Sequence, residues 1–177
     1  MKEALHLLNQ AGIVHRVTAA SAHGLPLEPH ENKFKIIFLD TGLMQRGCGL
    51  DAEIAMAKDF LAVNAGALAE QFVGQELLGS MNPHEDRRLF FWARDKKNSQ
   101  AEVDYLIVHR SHPVPIEVKS GKTGSLKSLK VFMTEHRSKI GIRISQQSFS
   151  CYDNVLSIPL YAVGQIHRLL DQLEPVV

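Results

Sequence analysis

The stretch AEVDYLIVHRSHPVPIEVKSG, residues 101–121, decides the fold. Its halves, AEVDYLIVH (101–109) and PVPIEVK (113–119), are short runs rich in β-branched and aromatic residues, and a tight loop at RSHP joins them. Such runs read as two consecutive strands of a hairpin. Strand alternation puts Glu117 and Lys119 on one face and Val114, Ile116 and Val118 on the other. On the preceding strand, Asp104 opposes Val103, Tyr105 and Ile107 in the same way. Two adjacent strands therefore present two carboxylates and an ammonium at one place.

Working outward, RLFFWAR (88–94) reads as a third strand, linked to AEVDYLIVH by the polar loop DKKNSQ. Upstream, Asn64 is a plausible N-cap for a helix over about 65–78, closed by Gly79. On that helix Gly66, Glu70, Val73 and Leu77 form one stripe, which places Glu70 on or beside the apolar face. An unpaired carboxylate is costly there, so a divalent metal or Lys119 is an expected partner. Downstream, SLKSLKVFMTEHRS (125–138) has helical spacing, KIGIRIS (139–145) reads as a strand, and VLSIPLYAV (155–163) as one more. QIHRLLDQL (165–173) closes the chain's pattern with a helix. The core order is helix, three strands, helix, strand.

The first fifty residues differ in kind. Residues 2–11 carry Ala4, Leu5, Leu8 and Ala11 at helical spacing, stopped by Gly12. IVHRVTAA (13–20) and FKIIFLD (34–40) read as two strands joined by a loop rich in His, Pro, Gly and Glu. A helix followed by a two-stranded hairpin reads as the end of a winged-helix unit. A further helix is expected over 51–63, DAEIAMAKDFLAV, begun at Asp51. The expected division is a winged-helix-like remnant and linker over 1–50 and a second domain over 51–177.

Composition sets the class. Hydrophobic residues make up 45% and charged residues 22% of the 177, as in ordinary globular chains. The apolar runs are far short of a membrane span, and MKEALHLLNQAG lacks an apolar signal core. Cys48 and Cys151 have no metal-ligand spacing and no disulfide framework, so the cytoplasm is the expected compartment. The net charge of +1 hides an asymmetry: residues 87–143 carry 13 Lys/Arg against 5 Asp/Glu, and the remainder 7 against 14. A basic half suits a phosphate-backbone partner such as DNA, and a solvated basic face fits the same count.

Three carboxylates (Glu70, Asp104, Glu117) and Lys119 make a coherent hydrolytic set for phosphodiesters. Hard cations such as Mg²⁺ take carboxylate oxygens and often bridge to phosphate, and a lysine beside the metal can orient a water or offset developing charge. Glu-x-Lys alone carries little weight. With 11 Glu and 11 Lys, chance supplies about 0.7 instances, and Glu31-x-Lys33 is a second one, in a polar loop before a strand. Context raises Glu117-x-Lys119: it ends an apolar strand, follows an Asp-bearing strand, and comes after a helix with an inward glutamate. A surface ion pair on strand ends is the bland alternative. Glu76 and Glu102 are weaker acid candidates, expected to be exposed. His109 and His112 read as loop histidines, Trp92 as core, and Ser120-Gly121 as a turn. Arg94, Lys96, Lys97, Lys122, Lys127 and Lys130 are the candidates for phosphate contacts around the site.

The runs GALAEQFVGQELL, FFWARDKKNSQAEVDYLI, PIEVKSG and SLKSLKVF resemble the uncharacterised C-terminal domain of prokaryotic AAA+ ATPases, which joins an ATPase module and a winged helix to a PD-(D/E)xK nuclease-like domain. ALHLLNQAGIV and FKIIFLDTGL resemble that family's linker, so the resemblance covers nearly the whole chain. It implies an α/β, restriction-endonuclease-like core with a mixed sheet flanked by helices. It also implies Mg²⁺ (or Mn²⁺) as metal, nucleic acid as substrate, and an ATPase as partner. By motif position the helix glutamate is Glu70, the strand aspartate Asp104, and the E-x-K pair Glu117 and Lys119. No G-x-x-x-x-G-K-[ST] loop occurs, so ATP binding by this chain is not expected, and a truncated product, separately encoded domain or fragment is.

Overall fold

The computed structural model describes residues 2–49, 65–94 and 101–173. The expected helix over 51–63, the cap at Asn64, the division near residue 50, the loop DKKNSQ, and with it Lys96 and Lys97, lie outside the described residues. The elements are α1 (Lys2–Gln10), β1 (Val14–Ser21), β2 (Glu28–Phe38), α2 (Thr41–Gly47) and α3 (Ala65–Ser80). They continue as β3 (Leu89–Ala93), β4 (Glu102–His109), β5 (His112–Val118), α4 (Lys127–Glu135), β6 (Gly141–Ser145), β7 (Ser150–Tyr152), β8 (Val155–Pro159) and α5 (Ile166–Gln172), with a 3₁₀ segment over Leu160–Gln165. The architecture is mixed α/β, and α3–β3–β4–β5–α4–β6 has the expected order. Among the described residues no helix is long and apolar enough to cross a membrane.

The eight strands of the described residues join one mixed sheet, in the order β2-β1-β3-β4-β5-β6-β8-β7. β3, β4 and β5 form an antiparallel meander, and β5–β6 and β6–β8 pair in parallel. The β4–β5 turn is the two residues Arg110 and Ser111, both at positive φ (45° and 63°), as a tight right-twisted hairpin requires. His109 and His112 therefore close the ladder as strand residues rather than sitting in a loop. The β1–β2 hairpin is hydrogen-bonded to the rest of the sheet, because β1 pairs in parallel with β3.

Helices cover both faces. One core contains Val73 and Leu77 of α3 with Tyr105, Ile107, Ile116, Val118, Ile144 and Ile166. The other packs Phe132 of α4 on Trp92, Val103 and Leu106.

Several local expectations need correction. β2 begins at Glu28, inside the segment read as a loop, and continues the ladder past an irregularity at Thr18/Ala19, where three residues are accommodated between His30 and Phe34. The Glu31/Lys33 pair thus lies on a strand, not in a loop. Helix α3 runs through Gly79 to Ser80. The segment 155–163 is a strand only to Pro159, and β7 was not anticipated. Finally, Val103 does not share the face of Tyr105. Phe90 pairs with Leu106 but Trp92 with Val103, so β4 has one extra residue there. This β-bulge turns Val103 to the α4 side and re-aims the residue beside it, Asp104.

Candidate active site

The four residues singled out by the sequence meet where β4 and β5 part. Their ladder ends at Tyr105↔Ile116, so Asp104 and Glu117 are the next residues along each strand. Beyond that pair the side chain of Asp104 takes over as acceptor: the Val118 N–H donates to Asp104 Oδ2 at 2.7 Å. The bulge on one side and this substitution on the other hold the carboxylate in place. Lys119, whose N–H continues the ladder to Ile144 at 2.8 Å, donates from Nζ to Glu117 Oε1 at 2.6 Å.

Helix α3 brings Glu70 over the same strand end. Its approach is set by Gly74, where a Cβ would fall 2.5 Å from Tyr105 Oη. Without that Cβ, Tyr105 Oη donates to the Glu70 carbonyl at 2.7 Å. Glu70 is half-buried, as its place beside the apolar stripe implied, and Glu76 is exposed.

A residue that sequence reasoning missed sits in the middle of this cluster. Lys35 of β2 places Nζ 2.7 Å from Glu102 Oε1 and 3.8 Å from both Glu70 Oε2 and Asp104 Oδ1, 4.8 Å from the Phe91 ring centroid. It is held there through buried Gln71 on α3. The Phe38 N–H donates to Gln71 Oε1 at 2.9 Å, and Gln71 Nε2 donates to the Phe38 carbonyl at 2.8 Å. That two-point clamp docks the end of β2 on the helix, next to Glu70. No local signal in FKIIFLD marks Lys35, a single lysine in a mostly apolar run.

Four carboxylates (Glu70, Glu102, Asp104, Glu117) thus share two ammonium groups. Burial and the neighbouring Asp104 push Glu117 up to about 7. Glu70 is raised by burial and by Asp104. Asp104 is raised by burial, against the lowering effect of the Val118 N–H and Lys35. Burial pulls Lys35 down, but the Glu102 hydrogen bond and the charges of Glu70 and Asp104 outweigh it and its pKa is raised. When all are ionised, the four carboxylates outnumber the two ammonium groups. In addition, Glu117 Oε2 is buried and has no hydrogen-bond partner among the described residues.

These oxygen donors fit a hard divalent cation in kind. Among the described residues no group of three or more His, Cys, Asp or Glu is arranged to hold a metal ion. Any such ion would be held by the two carboxylates Asp104 and Glu117, while Glu70 faces Lys35.

The basic candidates separate into two kinds. Arg94 is ion-paired to Glu135, and Lys130 Nζ lies 2.7 Å from Asp153 Oδ2. Lys122 and Lys127 are exposed in and after the loop that follows Lys119, with no ion pair among the described residues.

The family model described as a domain of unknown function, DUF4143, matches residues 65–162, more than half of the chain. The chain belongs to the DUF4143 family. Glu70, Asp104, Glu117 and Lys119 all lie within the DUF4143 match, whereas Lys35 reaches the site from outside it. No curated protein and no solved structure matches the chain.

Proposed function

We propose that this DUF4143 chain is a metal-dependent, nuclease-like domain acting on nucleic-acid phosphodiesters, with a restriction-endonuclease-like core. The observation that carries the reading is the gathering of Glu70, Asp104, Glu117 and Lys119 at one strand end, with Glu117 Oε2 buried there and no donor reaching it among the described residues. Excess carboxylate charge in a half-buried site favours cation binding. Asp104 and Glu117 would hold Mg²⁺ or Mn²⁺, and Glu70 would buttress them from α3. Such an ion, when bound, supplies a water of lowered pKa and stabilises charge on the scissile phosphate. Asp104 is pre-set for this by the Val118 N–H. Lys119 keeps its ammonium at the cluster through Glu117, from where it can orient water and offset charge on a phosphate oxygen. Lys122 and Lys127 would contact the backbone, and an AAA+ ATPase is the expected partner. The test is hydrolysis of plasmid and branched DNA with Mg²⁺ or Mn²⁺. Equal inactivity of wild type and Lys119→Ala on every substrate rejects the enzymatic reading.

A second reading, a non-catalytic nucleic-acid-binding or ATPase-docking module, is favoured by Lys35. Its ammonium already lies among Glu70, Glu102 and Asp104, a counter-charge that needs no metal. Salt-dependent DNA binding that survives Glu117→Gln, without cleavage, selects binding. Co-purification with an ATPase and no DNA affinity at low salt selects docking.

A further inference from the structure

Arg143 stands in β6 in the middle of the sheet, 8% exposed. Its Cα pairs with Glu117 on one side and Ser157 on the other, so it is the next residue inward from the candidate site. Among the described residues it makes no ion pair. Nη2 donates to the Lys122 carbonyl at 2.7 Å, and Nε is buried with no partner. Glu117 does not supply the missing charge, since its Oε1 takes the Lys119 ammonium and its Oε2 has no donor.

A guanidinium stays charged and carries five N–H donors in a planar fork. Burying one without an anion is costly. Breaches of this kind are expected where function requires them, and the missing partner here is an anion. The surroundings suit one. The Arg143 tip is anchored in the loop that leads from Lys119 into α4. Helix α4 begins with Leu126 at its N-cap, which has no side chain able to cap, and only the Ser125 hydroxyl, accepting from the Lys127 N–H at 3.3 Å, meets the positive end of its dipole. Exposed Lys122 and Lys127 flank that start. The same loop packs on the site lysine, because a Cβ at Gly124 would fall 2.8 Å from Lys119 Cδ.

We propose that Arg143, the 120–126 loop and the start of α4 form an oxyanion subsite that takes a phosphate of the nucleic-acid backbone. That phosphate neighbours the one presented to Asp104 and Glu117. The assignment of the ligand to nucleic acid rests on the function proposed above; the oxyanion subsite itself does not. Arg143 binds and positions, and takes no part in bond breaking.

The test uses the full chain in EDTA, as wild type, Arg143→Met and Arg143→Lys. Anisotropy of a labelled DNA oligonucleotide is measured against salt, and melting temperature with and without inorganic pyrophosphate. Arg143→Met is expected to melt no lower than wild type without ligand, since it removes an uncompensated buried charge. It should bind DNA about tenfold more weakly, with a salt slope reduced by about one, and lose the pyrophosphate-induced rise in melting temperature. Arg143→Lys should keep part of both responses. Unchanged DNA affinity and pyrophosphate response in Arg143→Met overturn the proposal. So does a ligand-free melting temperature well below wild type that Arg143→Lys restores without restoring anion binding, which marks a structural role. Pyrophosphate stabilisation through Arg143 with no DNA binding keeps the subsite and rejects nucleic acid. No response of the wild type to either probe rejects both.

Discussion

Replacing Glu117 by Gln should make the protein more stable, and only above acidic pH. Burial and Asp104 raise the Glu117 pKa from 4.5 to about 7. A carboxyl raised on folding is most favourable to the fold while protonated. Its contribution is fully present below the unfolded pKa and is lost as pH rises through the folded one. At about 1.4 kcal/mol per pKa unit, the shift of roughly 2.5 units corresponds to about 3 kcal/mol lost by pH 8. Gln keeps an acceptor for the Lys119 ammonium now held by Oε1 and carries no charge into the buried site. The variant should therefore match wild type near pH 4, gain steadily between about pH 4.5 and 7, and stay about 3 kcal/mol ahead above that. For a chain of this size that is a rise in melting temperature of about 6–12 °C at pH 8. Urea titrations across pH 4 to 9 measure it. A variant less stable than wild type at pH 8, or an advantage that does not grow between pH 4.5 and 7, refutes the charge-excess account of the site. Adding Mn²⁺ supplies a second check: ligand-linked stabilisation should appear in wild type and be weaker in Glu117→Gln.

Gln71→Leu should lower stability by about 2–4 kcal/mol, because it orphans both the N–H and the carbonyl of Phe38; a loss under about 1 kcal/mol by urea denaturation would show that the clamp contributes little. Gly74→Ala puts a Cβ 2.5 Å from Tyr105 Oη and 2.8 Å from Ile37 Cδ1 and should cost about 1–3 kcal/mol. Tyr105→Phe should recover part of that loss in the double variant, and strictly additive losses would locate the clash elsewhere. Lys35→Met removes an ammonium lying 3.8 Å from both Glu70 and Asp104 and should tighten Mn²⁺ binding about tenfold in an electron paramagnetic resonance titration. Equal or weaker affinity would mean that Lys35 and the cation do not share those carboxylates.

What could be read from the sequence was local. β3, β4 and β5 are short apolar runs with turns between them, and the hairpin alone sets Asp104 and Glu117 at the same end of adjacent strands. Helix α3 announced its buried stripe by spacing, and Glu70 beside it. The parts that escaped depend on partners distant in the chain. β1 lies against β3 and not against β4, and nothing in either run encodes that pairing. The place of Lys35 follows from it at one remove, through a glutamine whose two hydrogen bonds span 33 residues. Arg143 reads in the sequence as one of many basic residues, because burial of a charge on a central strand is a property of the whole sheet.

The bulge in β4 is the instructive case, since it changes what a substitution at Asp104 would mean. Strict alternation makes Asp104 a side chain displayed by a regular strand, whose removal affects chemistry alone. In the structure it stands between an extra residue on the β3 side and a missing backbone bond on the β5 side, and Oδ2 replaces that bond by accepting from Val118. One oxygen is structural, and the other, Oδ1, faces Lys35 at 3.8 Å. Asp104→Ala therefore removes a backbone partner and a charge together, so lost activity in that variant would not separate the two roles. Asp104→Asn keeps a carbonyl oxygen for the Val118 N–H and removes only the charge. Stability retained in Asp104→Asn, with Mn²⁺ response lost, is the signature of a carboxylate placed for a cation. Stability lost in both variants would instead assign Asp104 to pairing of its charge with Lys35, and would move the weight of the site to Glu117.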